Sequence, residues 1–292
     1  NQKFEENLYN VKLCTNQTEI FNEIKRFGPD IIFNDILNTK TDYMKKLKKE
    51  KIFIVNFEDL GKGRKYSDLI FNPIFSTTSK LSNEYYGSEF ACVRDEFRIF
   101  ERTKIRKKIQ KISITLGGVD NNENTFKIIE IINENKILKN IIINIILGFG
   151  FKHKEKLMKI INQMKERKYK IVIIEKTDFI SKYILDSDFV IASNGRTTFE
   201  IASLKIPMIV LSVNSREKQH NFVNETKTGY QINMLKISAE KELINAISNM
   251  EKFEKRKIFL ENLEKIDLKN GIERVVHMIN YGYNAKKIGI KS

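Results

Sequence analysis

The sequence predicts an α/β fold with two domains, each built on a parallel β-sheet that is covered by helices. Short apolar runs rich in Ile, Val and Phe alternate with amphipathic stretches along most of the chain, which is typical of repeated strand–helix–strand units. The alternation is interrupted at residues 74–104 and resumes after the charged segment "FERTKIRKKIQK". With 292 residues, of which 41% are hydrophobic, the chain is long enough for two cores.

This interruption divides the chain into two domains, which are followed by a C-terminal helix and tail. The sequence begins "NQKFEENLYNVKLC", without a methionine, so we expect the first domain to be incomplete at its N-terminus. The predicted limits are 1–104 for the first domain, 105–270 for the second, and 271–292 for the helix and tail.

Polar residues follow each strand that is predicted in the first domain. Examples are Asn34-Asp35 after the first strand and Glu58-Asp59 after the second. The carboxyl ends of parallel strands are the edge at which open sheets place their ligands. The predicted strands lie at 30–35, 52–57 and 67–72, and a helix is predicted at 41–50.

The second domain repeats the alternation more regularly. Its apolar runs are β-branched and bounded by polar residues, as expected of strands that are buried on both faces. The predicted strands are "KISITLGG", "IIINIILGFG", "KIVIIE", "DFVIAS" and "MIVLSV"; the predicted helices between them include "NTFKIIEIINENK", "KEKLMKIINQMKERK" and "DFISKYILDS".

Residues 188–207, "DFVIASNGRTTFEIASLKIP", place a strand, a turn and a helix in close succession. Gly195 permits a sharp turn, and Pro207 ends the helix before the next apolar run. Thr197 occupies the predicted N-cap position three residues before Glu200, which is the spacing of a capping box. A glycine turn between a strand and a helix N-terminus is also where α/β folds bind phosphates. Taken alone, the stretch is compatible with both interpretations.

Glycine turns recur after the strands of the second domain. Gly117-Gly118, Gly148 with Gly150, and Gly195 each follow a predicted strand. Glycines on one side of a sheet allow a ligand to approach the backbone closely, so we expect these turns to form a ligand-binding face. None of them matches G-x-G-x-x-G or G-x-x-x-x-G-K-[ST], which argues against a dinucleotide site of the usual kind and against a P-loop.

Composition and motifs exclude several other classes of protein. No apolar stretch reaches the roughly 18–20 residues that a membrane span needs, and no secretory signal is present. The two cysteines, Cys14 and Cys92, are far apart, so we expect a reducing, cytoplasmic setting. No His, Cys, Asp or Glu cluster has the spacing of metal ligands, and no G-x-S-x-G turn is present. We expect neither a metal nor another cofactor.

The formal net charge of +15 raises the question of nucleic-acid binding. The lysines are scattered at helix-surface spacing, as in "YMKKLKKEK" and "LMKIINQMKERKYK", and aromatic residues are not interleaved with them. We therefore expect no nucleic-acid partner and assign the positive charge to solvated helix faces. A basic cleft also suits phosphorylated small substrates.

These stretches together resemble the GT-B architecture of nucleotide-sugar enzymes, in which two Rossmann-like domains face a cleft. Within it, the chain is similar to the UDP-sugar hydrolase family of pseudaminic acid biosynthesis and its spore-coat polysaccharide relatives. The likeness spans roughly residues 30–225 and ends in the segment "NSREKQHNF". The stretches that carry it are "ISITLGGVDNNENTFKIIEII", "DFVIASNGRTTFEIASLKIPMIVLSV", "NDIL", "VNFEDLG", "SDLIFNP" and "YYGSEFACVRDEF".

The resemblance implies that the second domain holds the nucleotide. The turn from Gly195 to Thr198 would donate hydrogen bonds to the pyrophosphate, and Glu200 would bond the ribose diol. Gly117 and Gly118 would face the phosphates or the sugar. A segment of polar residues after the last strand would reach the sugar, unless it is only a solvated helix start. The predicted binding residues are Gly117, Gly118, Asn194, Gly195, Arg196, Thr197, Thr198 and Glu200, with Glu217, Gln219 and Asn221 for the sugar.

The implied activity is hydrolysis of a UDP-sugar, with release of UDP from an acylated amino sugar of the 2,4-diacetamido-2,4,6-trideoxyhexose type in surface-glycan or nonulosonic acid biosynthesis. The family's Gly-His-x-x-Arg element, which carries its catalytic histidine, is absent from this sequence. The three histidines present are His153, His220 and His277, and of these only His220 lies beside a predicted binding residue. The catalytic residue is therefore unassigned.

Three alternatives stay open at this point. The same cleft would serve a GT-B glycosyltransferase that uses an acceptor hydroxyl in place of water. The chain would also suit a non-catalytic module that binds nucleotide sugars, and some similar sequences are fused behind a sugar-acid cytidylyltransferase, so an upstream fusion partner is possible.

The segment after residue 270 resembles the final helix that returns to the first domain in GT-B proteins.

The scattered positive charge predicts weak binding to duplex DNA without sequence preference. A protein that contacts only phosphates gains affinity from the counterions it releases from the DNA, and this release becomes less favourable as the salt concentration rises. Binding should therefore vanish by about 200 mM salt. Fluorescence anisotropy with two unrelated duplexes across a salt series measures this. Tight binding that persists at that salt concentration would contradict the assignment of the charge to solvated faces.

Overall fold

The computed structural model describes residues 9–75, 81–102, 104–120, 122–164, 167–175 and 177–289. In these ranges the chain forms two compact α/β units, and each unit contains a sheet with parallel strands, so the predicted fold class is confirmed. No helix in the described ranges is long and apolar enough to cross a membrane. The first unit comprises residues 9–72, 81–85 and 278–289, and the second comprises 73–75 and 86–277.

The first unit is built on a four-stranded sheet of order β1-β2-β3-β4, in which β1, β2 and β3 are parallel. The three predicted strands and the predicted helix are confirmed, whereas α1 and β4 were not predicted. The elements are α1 (Gln17–Phe27), β1 (Ile31–Asn34), α2 (Thr41–Lys49), β2 (Phe53–Phe57), β3 (Leu69–Asn72) and β4 (Glu84–Tyr86).

Local chemistry sets the limits of α1. The Asn16 side chain accepts a hydrogen bond from the Glu19 N–H at the start of the helix. Gly28 ends the helix in the left-handed conformation with φ 61° and donates to the Ile24 carbonyl. Ile20, Phe21 and Ile24 are spaced as on one helix face and pack against the core of the first unit, so the apolar stripe of α1 was present in the sequence although the helix was not predicted.

The carboxyl edge of the first sheet carries a buried polar network around Asp59. Its carboxylate accepts from the Thr39 N–H and hydroxyl, from the Asn56 amide and from the Gly61 N–H. Asn56 in turn accepts from Asn34, its register partner on β1. Asp59 is therefore saturated by neutral donors. No group of three His, Cys, Asp or Glu side chains in the described ranges is arranged to hold a metal.

The second unit is built on a six-stranded, fully parallel sheet of order β10-β9-β8-β5-β6-β7. Its five predicted strands are confirmed, and β10, which completes the sheet, was not predicted. The strands are β5 (Lys111–Thr115), β6 (Ile142–Ile146), β7 (Lys170–Ile174), β8 (Phe189–Ser193), β9 (Met208–Ser212) and β10 (Gly229–Asn233).

Helices cover this sheet on both faces. Two predicted helices are shorter than expected, since α4 ends at Gln163 and α5 spans only Ser181–Leu185. The helices are α3 (Asn124–Glu134), α4 (Lys154–Gln163), α5 (Ser181–Leu185), α6 (Thr197–Ser203), α7 (Phe222–Thr226), α8 (Ala239–Met250), α9 (Phe253–Glu264) and α10 (Gly271–Lys287), and the residues of α10 from 278 onward belong to the first unit.

The strands of the second unit read as continuous apolar runs because successive side chains enter two different cores. On β8, Val190 and Ala192 belong to one buried cluster, and Ile191 belongs to the other. Neighbouring β9 alternates in the same way, with Ile209 packed beside Ile191 in the second of these clusters. This two-sided burial leaves the sheet no free face, so its ligand-accessible positions are at the strand ends.

A buried carboxylate joins the amino ends of β5 and β8. Asp188, the residue before β8, is fully buried and accepts from the N–H groups of Gln110 (2.7 Å) and Lys111 (3.0 Å). The guanidinium of Arg102 lies 3.1 Å from the same carboxylate, and that of Arg106 lies 3.4 Å from it. The Asp188 N–H also donates to the Lys111 carbonyl at 2.7 Å. The pairing of the two strands is thus fixed at their starting point.

We expect Asp188→Asn to destabilise the second unit by about 3–5 kcal/mol, because the change leaves Arg102, whose side chain is only 10% exposed, without its buried counter-charge. Asp186→Asn is the matched control, since Asp186 also pairs with Arg106 but its side chain is 44% exposed, and we expect it to cost less than about 1 kcal/mol. Urea unfolding followed by circular dichroism measures both. Equal costs for the two variants would contradict a special role for Asp188.

Candidate functional site

The strand order of the second unit places one reversal of direction between β5 and β8. From β5 the chain builds outward to β6 and β7, and from β8 it builds outward to β9 and β10 on the other side. In doubly wound sheets the ligand crevice lies outside the carboxyl ends of the two strands at such a reversal. The pairing of Thr115 with Ala192 brings the loops that follow these strands side by side. We call residues 116–120 the β5 loop and residues 194–197 the β8 loop.

The glycines of these two loops leave space that a ligand can fill. A Cβ atom built on Gly118 or Gly195 would meet no atom within 4 Å, and one on Gly117 would meet only the Ser193 hydroxyl, at 3.5 Å. Gly117 has φ 78°, which favours glycine independently of any ligand. Within the described part of the chain, the N–H groups of Gly117, Gly118, Gly195 and Thr197 make no hydrogen bond. Four unused donors at one sheet edge form an arrangement suited to an anion.

Gly148 and Gly150 lie in the turn after β6 and pack against the β5 loop. A Cβ on Gly148 would lie 2.4 Å from the Gly117 carbonyl oxygen and 2.5 Å from the Gly118 Cα. The Gly150 N–H donates to the Gly118 carbonyl at 2.9 Å. Glycine at both positions lets the turn after β6 pack closely against the β5 loop, and the expectation that this turn also faces a ligand stays a prediction.

The predicted capping box at the start of α6 is also wrong. The helix begins at Thr197, and the preceding Arg196 already has helical angles, φ −59° and ψ −31°, without a side-chain cap. The Thr198 N–H donates to the Gly195 carbonyl at 3.1 Å, so the chain turns one residue earlier than predicted. Thr197 is therefore the first helical residue rather than the N-cap. Its hydroxyl bonds the Glu200 carboxylate instead of a backbone N–H.

Glu200 lies in the first turn of α6 and pairs with Arg94, whose Nε is 2.9 Å from a carboxylate oxygen. The same guanidinium contacts Glu96 at 2.9 Å, so Arg94 bridges two acids. Burial raises the pKa of Glu200, and Arg94 opposes this rise. The Glu200 side chain is 14% exposed, which leaves part of the carboxylate accessible.

The other predicted residues of the β8 loop and α6 differ in exposure. Arg196 is exposed, as an anion-binding side chain requires. Thr198 is fully buried, and its hydroxyl has no hydrogen-bond partner among the described residues. Asn194 is 1% exposed, and its amide points into the protein rather than toward the open space at Gly195. Asn194 and Thr198 therefore lie behind the loop surface that Arg196 presents.

The predicted sugar-binding residues lie on the loop between β9 and α7, which we call the β9 loop (residues 213–221). The Glu217 carboxylate accepts from the Val213 N–H and from the Asn214 amide, both at 3.0 Å. Burial raises the pKa of Glu217, and these two hydrogen bonds oppose the rise. Gln219 is exposed, and its amide donates to the Ser215 carbonyl at 3.4 Å. Glu217 thus maintains the loop, while Gln219 is accessible.

Asn221 ends the β9 loop and lines a cavity of about 390 Å³. Its amide donates to the Glu225 carboxylate at 3.2 Å. The cavity combines these polar groups with the apolar rings of Phe75 and Phe222, and the backbone around Gly87 completes the wall. A pocket of this composition suits a ligand with both hydrogen-bonding and apolar groups.

His220, which follows the predicted binding residue Gln219 in the sequence, lies at the junction of the β8 and β9 loops. Its ring is fully buried, and Nδ1 lies 3.2 Å from the Asn194 carbonyl oxygen. Because a carbonyl oxygen only accepts, Nδ1 carries the proton. Burial lowers the pKa of His220 from 6.5 to about 4, so the ring is neutral at pH 7. The fully buried ring presents no surface to a ligand.

The buried neutral ring of His220 predicts a loss of stability in mild acid. The unfolded chain takes up the proton near pH 6.5 and the folded chain only near pH 4, so the contribution is complete above about pH 6.5 and declines as pH falls toward 4, by about 3 kcal/mol in total. Urea unfolding from pH 7 to 4 measures this decline. His220→Phe should flatten it, whereas His277→Gln, at an exposed helix position, should retain it. The same decline in both variants would contradict this origin.

Comparison with known sequences finds two similar proteins, each matched over part of its length. A protein of Methanocaldococcus jannaschii of uncharacterised function is 28% identical over 282 residues, covering 85% of this chain and 57% of the relative. The Bacillus subtilis spore coat polysaccharide biosynthesis protein SpsG is 26% identical over 202 residues, covering 66% of this chain and 58% of that protein. The chain thus spans little more than half the length of these curated relatives.

Comparison with solved structures shows the fold. Acinetobacter baumannii MurG matches with a TM-score of 0.61 and 13% identity, over 91% of this chain and 77% of that one. S. aureus MnaA, solved with UDP, matches with a TM-score of 0.61 and 16% identity, over 94% of this chain and 82% of that one. The Methanocaldococcus jannaschii UDP-GlcNAc 2-epimerase, in complex with UDP-GlcNAc and UDP, matches with a TM-score of 0.57 and 18% identity, over 95% of this chain and 87% of that one.

The family match covers the unit that contains the β5 and β8 loops. Residues 116–277 match the glycosyltransferase family 28 C-terminal domain, and this range is more than half of the 292 residues. It begins at the first residue of the β5 loop and includes the β8 and β9 loops. The chain therefore belongs to the family of the glycosyltransferase family 28 C-terminal domain, with a GT-B-like fold.

Proposed function

We propose that the β5 and β8 loops bind the diphosphate of a UDP-sugar and that the protein hydrolyses this substrate, releasing UDP from an acylated amino sugar. The observation that carries the proposal is the set of four unused N–H donors at the strand-order reversal, next to glycines with open space. UDP appears in the names of several structural neighbours, and the sequence resemblance supplies the hydrolytic reaction.

The diphosphate is bound mainly by backbone groups in this proposal. Gly117 and Gly118 donate from the β5 loop, and Gly195 and Thr197 donate from the β8 loop. Hydrogen bonds from backbone N–H groups to a charged oxygen are stronger than those between neutral groups. Arg196 adds a positive charge at the same edge, and the start of α6 contributes a favourable dipole of about 0.3–1 kcal/mol per charge.

Glu200 accepts hydrogen bonds from the hydroxyl groups of the ribose. Arg94 holds the carboxylate in place from one side, and a carboxylate has about four lone-pair sites, so acceptor capacity remains. Thr198 supports the turn through its N–H bond to the Gly195 carbonyl and does not contact the ligand through its buried hydroxyl. The nucleoside thus lies along the first turn of α6.

The sugar is assigned to the β9 loop and to the cavity at Asn221. An acylated amino sugar carries hydroxyl and amide N–H donors for the Glu225 and Asn221 side chains, and its methyl groups suit the apolar rings of that cavity. Gln219 is exposed on the same loop and completes the polar contacts. Glu217 acts by holding the loop rather than by touching the sugar.

The chemical step is attack of water on the anomeric carbon, with departure of UDP. The unused N–H groups and Arg196 stabilise the negative charge that develops on the leaving diphosphate, so the step does not require a metal in principle. The water-activating group is not among the residues assigned above, and the fully buried His220 does not supply it.

A glycosyltransferase is the second candidate, because the matching family is named for glycosyl transfer. In that case an acceptor hydroxyl replaces water at the same site. A non-catalytic nucleotide-sugar module, such as part of a cytidylyltransferase fusion, is the third, since the chain spans only 57% and 58% of its curated relatives.

A release assay separates the three candidates. The purified protein is incubated with UDP-GlcNAc and with a UDP-diacetamido sugar, and UDP is measured by coupled enzymes with and without added sugar acceptors. Release without an acceptor supports hydrolysis, and release only with an acceptor supports transfer. Binding without release supports the module. If UDP binds no better than GDP by calorimetry and nothing is released, the nucleotide-sugar proposal is wrong.

Glu200→Gln should lower UDP affinity about 10- to 100-fold, because charge-assisted hydrogen bonds worth roughly 1.5–3 kcal/mol are weakened. Arg94→Gln is the matched control, since it breaks the same ion pair but keeps the Glu200 carboxylate. We expect it to change affinity less than about threefold. Calorimetric titration of UDP measures both, beside thermal melting. Unchanged UDP affinity in Glu200→Gln would remove Glu200 from the nucleotide site.

A further inference from the structure

Asn194 and His220 form a reciprocal pair between the β8 loop and the β9 loop. The His220 Nδ1–H donates to the Asn194 carbonyl at 3.2 Å, and the Asn194 amide donates to the His220 carbonyl at 2.7 Å. The same amide lies 2.9 Å from the Glu217 carbonyl and 3.0 Å from the Ser212 hydroxyl. Each side chain thus binds the backbone of the other loop.

Packing holds the pair in a single arrangement. The His220 ring lies 5.0 Å from the Phe199 ring and 6.3 Å from the Phe222 ring, measured between centroids. Both Asn194 and His220 are almost completely buried. The His220 Nε2 has no hydrogen-bond partner among the described residues, so Nδ1 is the only ring atom that fixes the ring by a hydrogen bond. Breaking that bond would leave a buried donor unsatisfied, which costs roughly 1–3 kcal/mol.

The carbonyl that His220 binds belongs to the same peptide group as the Gly195 N–H. A trans peptide is planar, and its C=O and N–H point in opposite directions. Holding the Asn194 carbonyl toward the buried ring therefore directs the Gly195 N–H away from it, toward the open space of the β8 loop. Glycine offers little resistance to rotation of this peptide, so the direction of the N–H needs an external hold.

We propose that His220 and Asn194 are positioning residues that keep the Asn194–Gly195 peptide oriented so that the Gly195 N–H faces the diphosphate. The inference rests on the proposed function for its ligand but concerns residues that do not touch that ligand. It reassigns Asn194, which the sequence placed among the binding residues, to a supporting role. It also couples the β9 loop, which carries the sugar-binding residues, to the loop that carries the phosphate donors.

Two substitutions at His220 separate positioning from simple packing. His220→Phe keeps an aromatic ring against Phe199 and Phe222 but removes the donor to the Asn194 carbonyl. His220→Asn keeps an amide N–H close to the position of Nδ1 but removes the ring. The Phe variant, which keeps the ring, should have the higher melting temperature of the two. Loss of buried aromatic area costs more stability than loss of one hydrogen bond.

Affinity for UDP should instead depend on the hydrogen-bond donor to the Asn194 carbonyl. We expect the Phe variant to bind UDP about three- to tenfold more weakly than wild type, as for one lost hydrogen bond, and the Asn variant to stay within about twofold. In the ligand-free protein, nuclear magnetic resonance should show a shifted signal for the Gly195 amide in the Phe variant and not in the Asn variant, because only the Phe variant frees the Asn194–Gly195 peptide to rotate.

The two readouts distinguish failure of this inference from failure of the proposed function. If wild type does not bind UDP, the proposed function fails, and the Gly195 amide signal alone then decides whether His220 orients the peptide. If that signal is the same in wild type and in His220→Phe, the inference is wrong, whatever the affinity for UDP. If the Phe variant shows the altered signal but wild-type UDP affinity, the link to the diphosphate is wrong. Affinity and stability falling together in both variants would indicate packing alone.

Discussion

The placement of the candidate site depends on the buried carboxylate of Asp188. By binding the first N–H groups of β5 from the position just before β8, it fixes how the two strands pair. Because side chains alternate along a strand, a slip of one residue would exchange the two cores of the second unit. It would also move the β5 and β8 loops out of step at the opposite edge. A contact at the amino edge of the sheet therefore sets the geometry of the carboxyl edge.

The site then follows from a short series of local constraints. The paired strands end side by side, Gly117 turns with a positive φ, and the chain after Ser193 enters α6 through a tight turn. The buried pair of Asn194 and His220 fixes the peptide that begins this turn. In the proposed site, backbone donors bind the anion, so the site depends more on the direction of peptide groups than on the identity of exposed side chains.

Much of the fold was predictable because burial on both faces leaves a clear mark on strands. The predicted strands match β1 to β3 and β5 to β9. The turn residues around Gly195 also predict a turn between a strand and a helix at this point. The missed features depend on distant contacts. Arg94 meets Glu200 across 106 positions, and this pair replaces the local capping box that the spacing suggested. The contact of His220 with Asn194 left no pattern in the sequence, because the partner is a backbone carbonyl, which any residue possesses.

The glycines at the carboxyl edge of the second sheet divide into two kinds that a sequence cannot tell apart. Gly148 and Gly150 leave room for the protein's own β5 loop, whereas Gly118 and Gly195 leave room that the protein does not use. A selection for yield of folded protein would therefore reject side chains at the first pair and tolerate them at the second. A selection for ligand capture would reject them at both. Only the difference between the two selections would mark the glycines that face a ligand, so invariance of a glycine among relatives is not by itself a sign of binding.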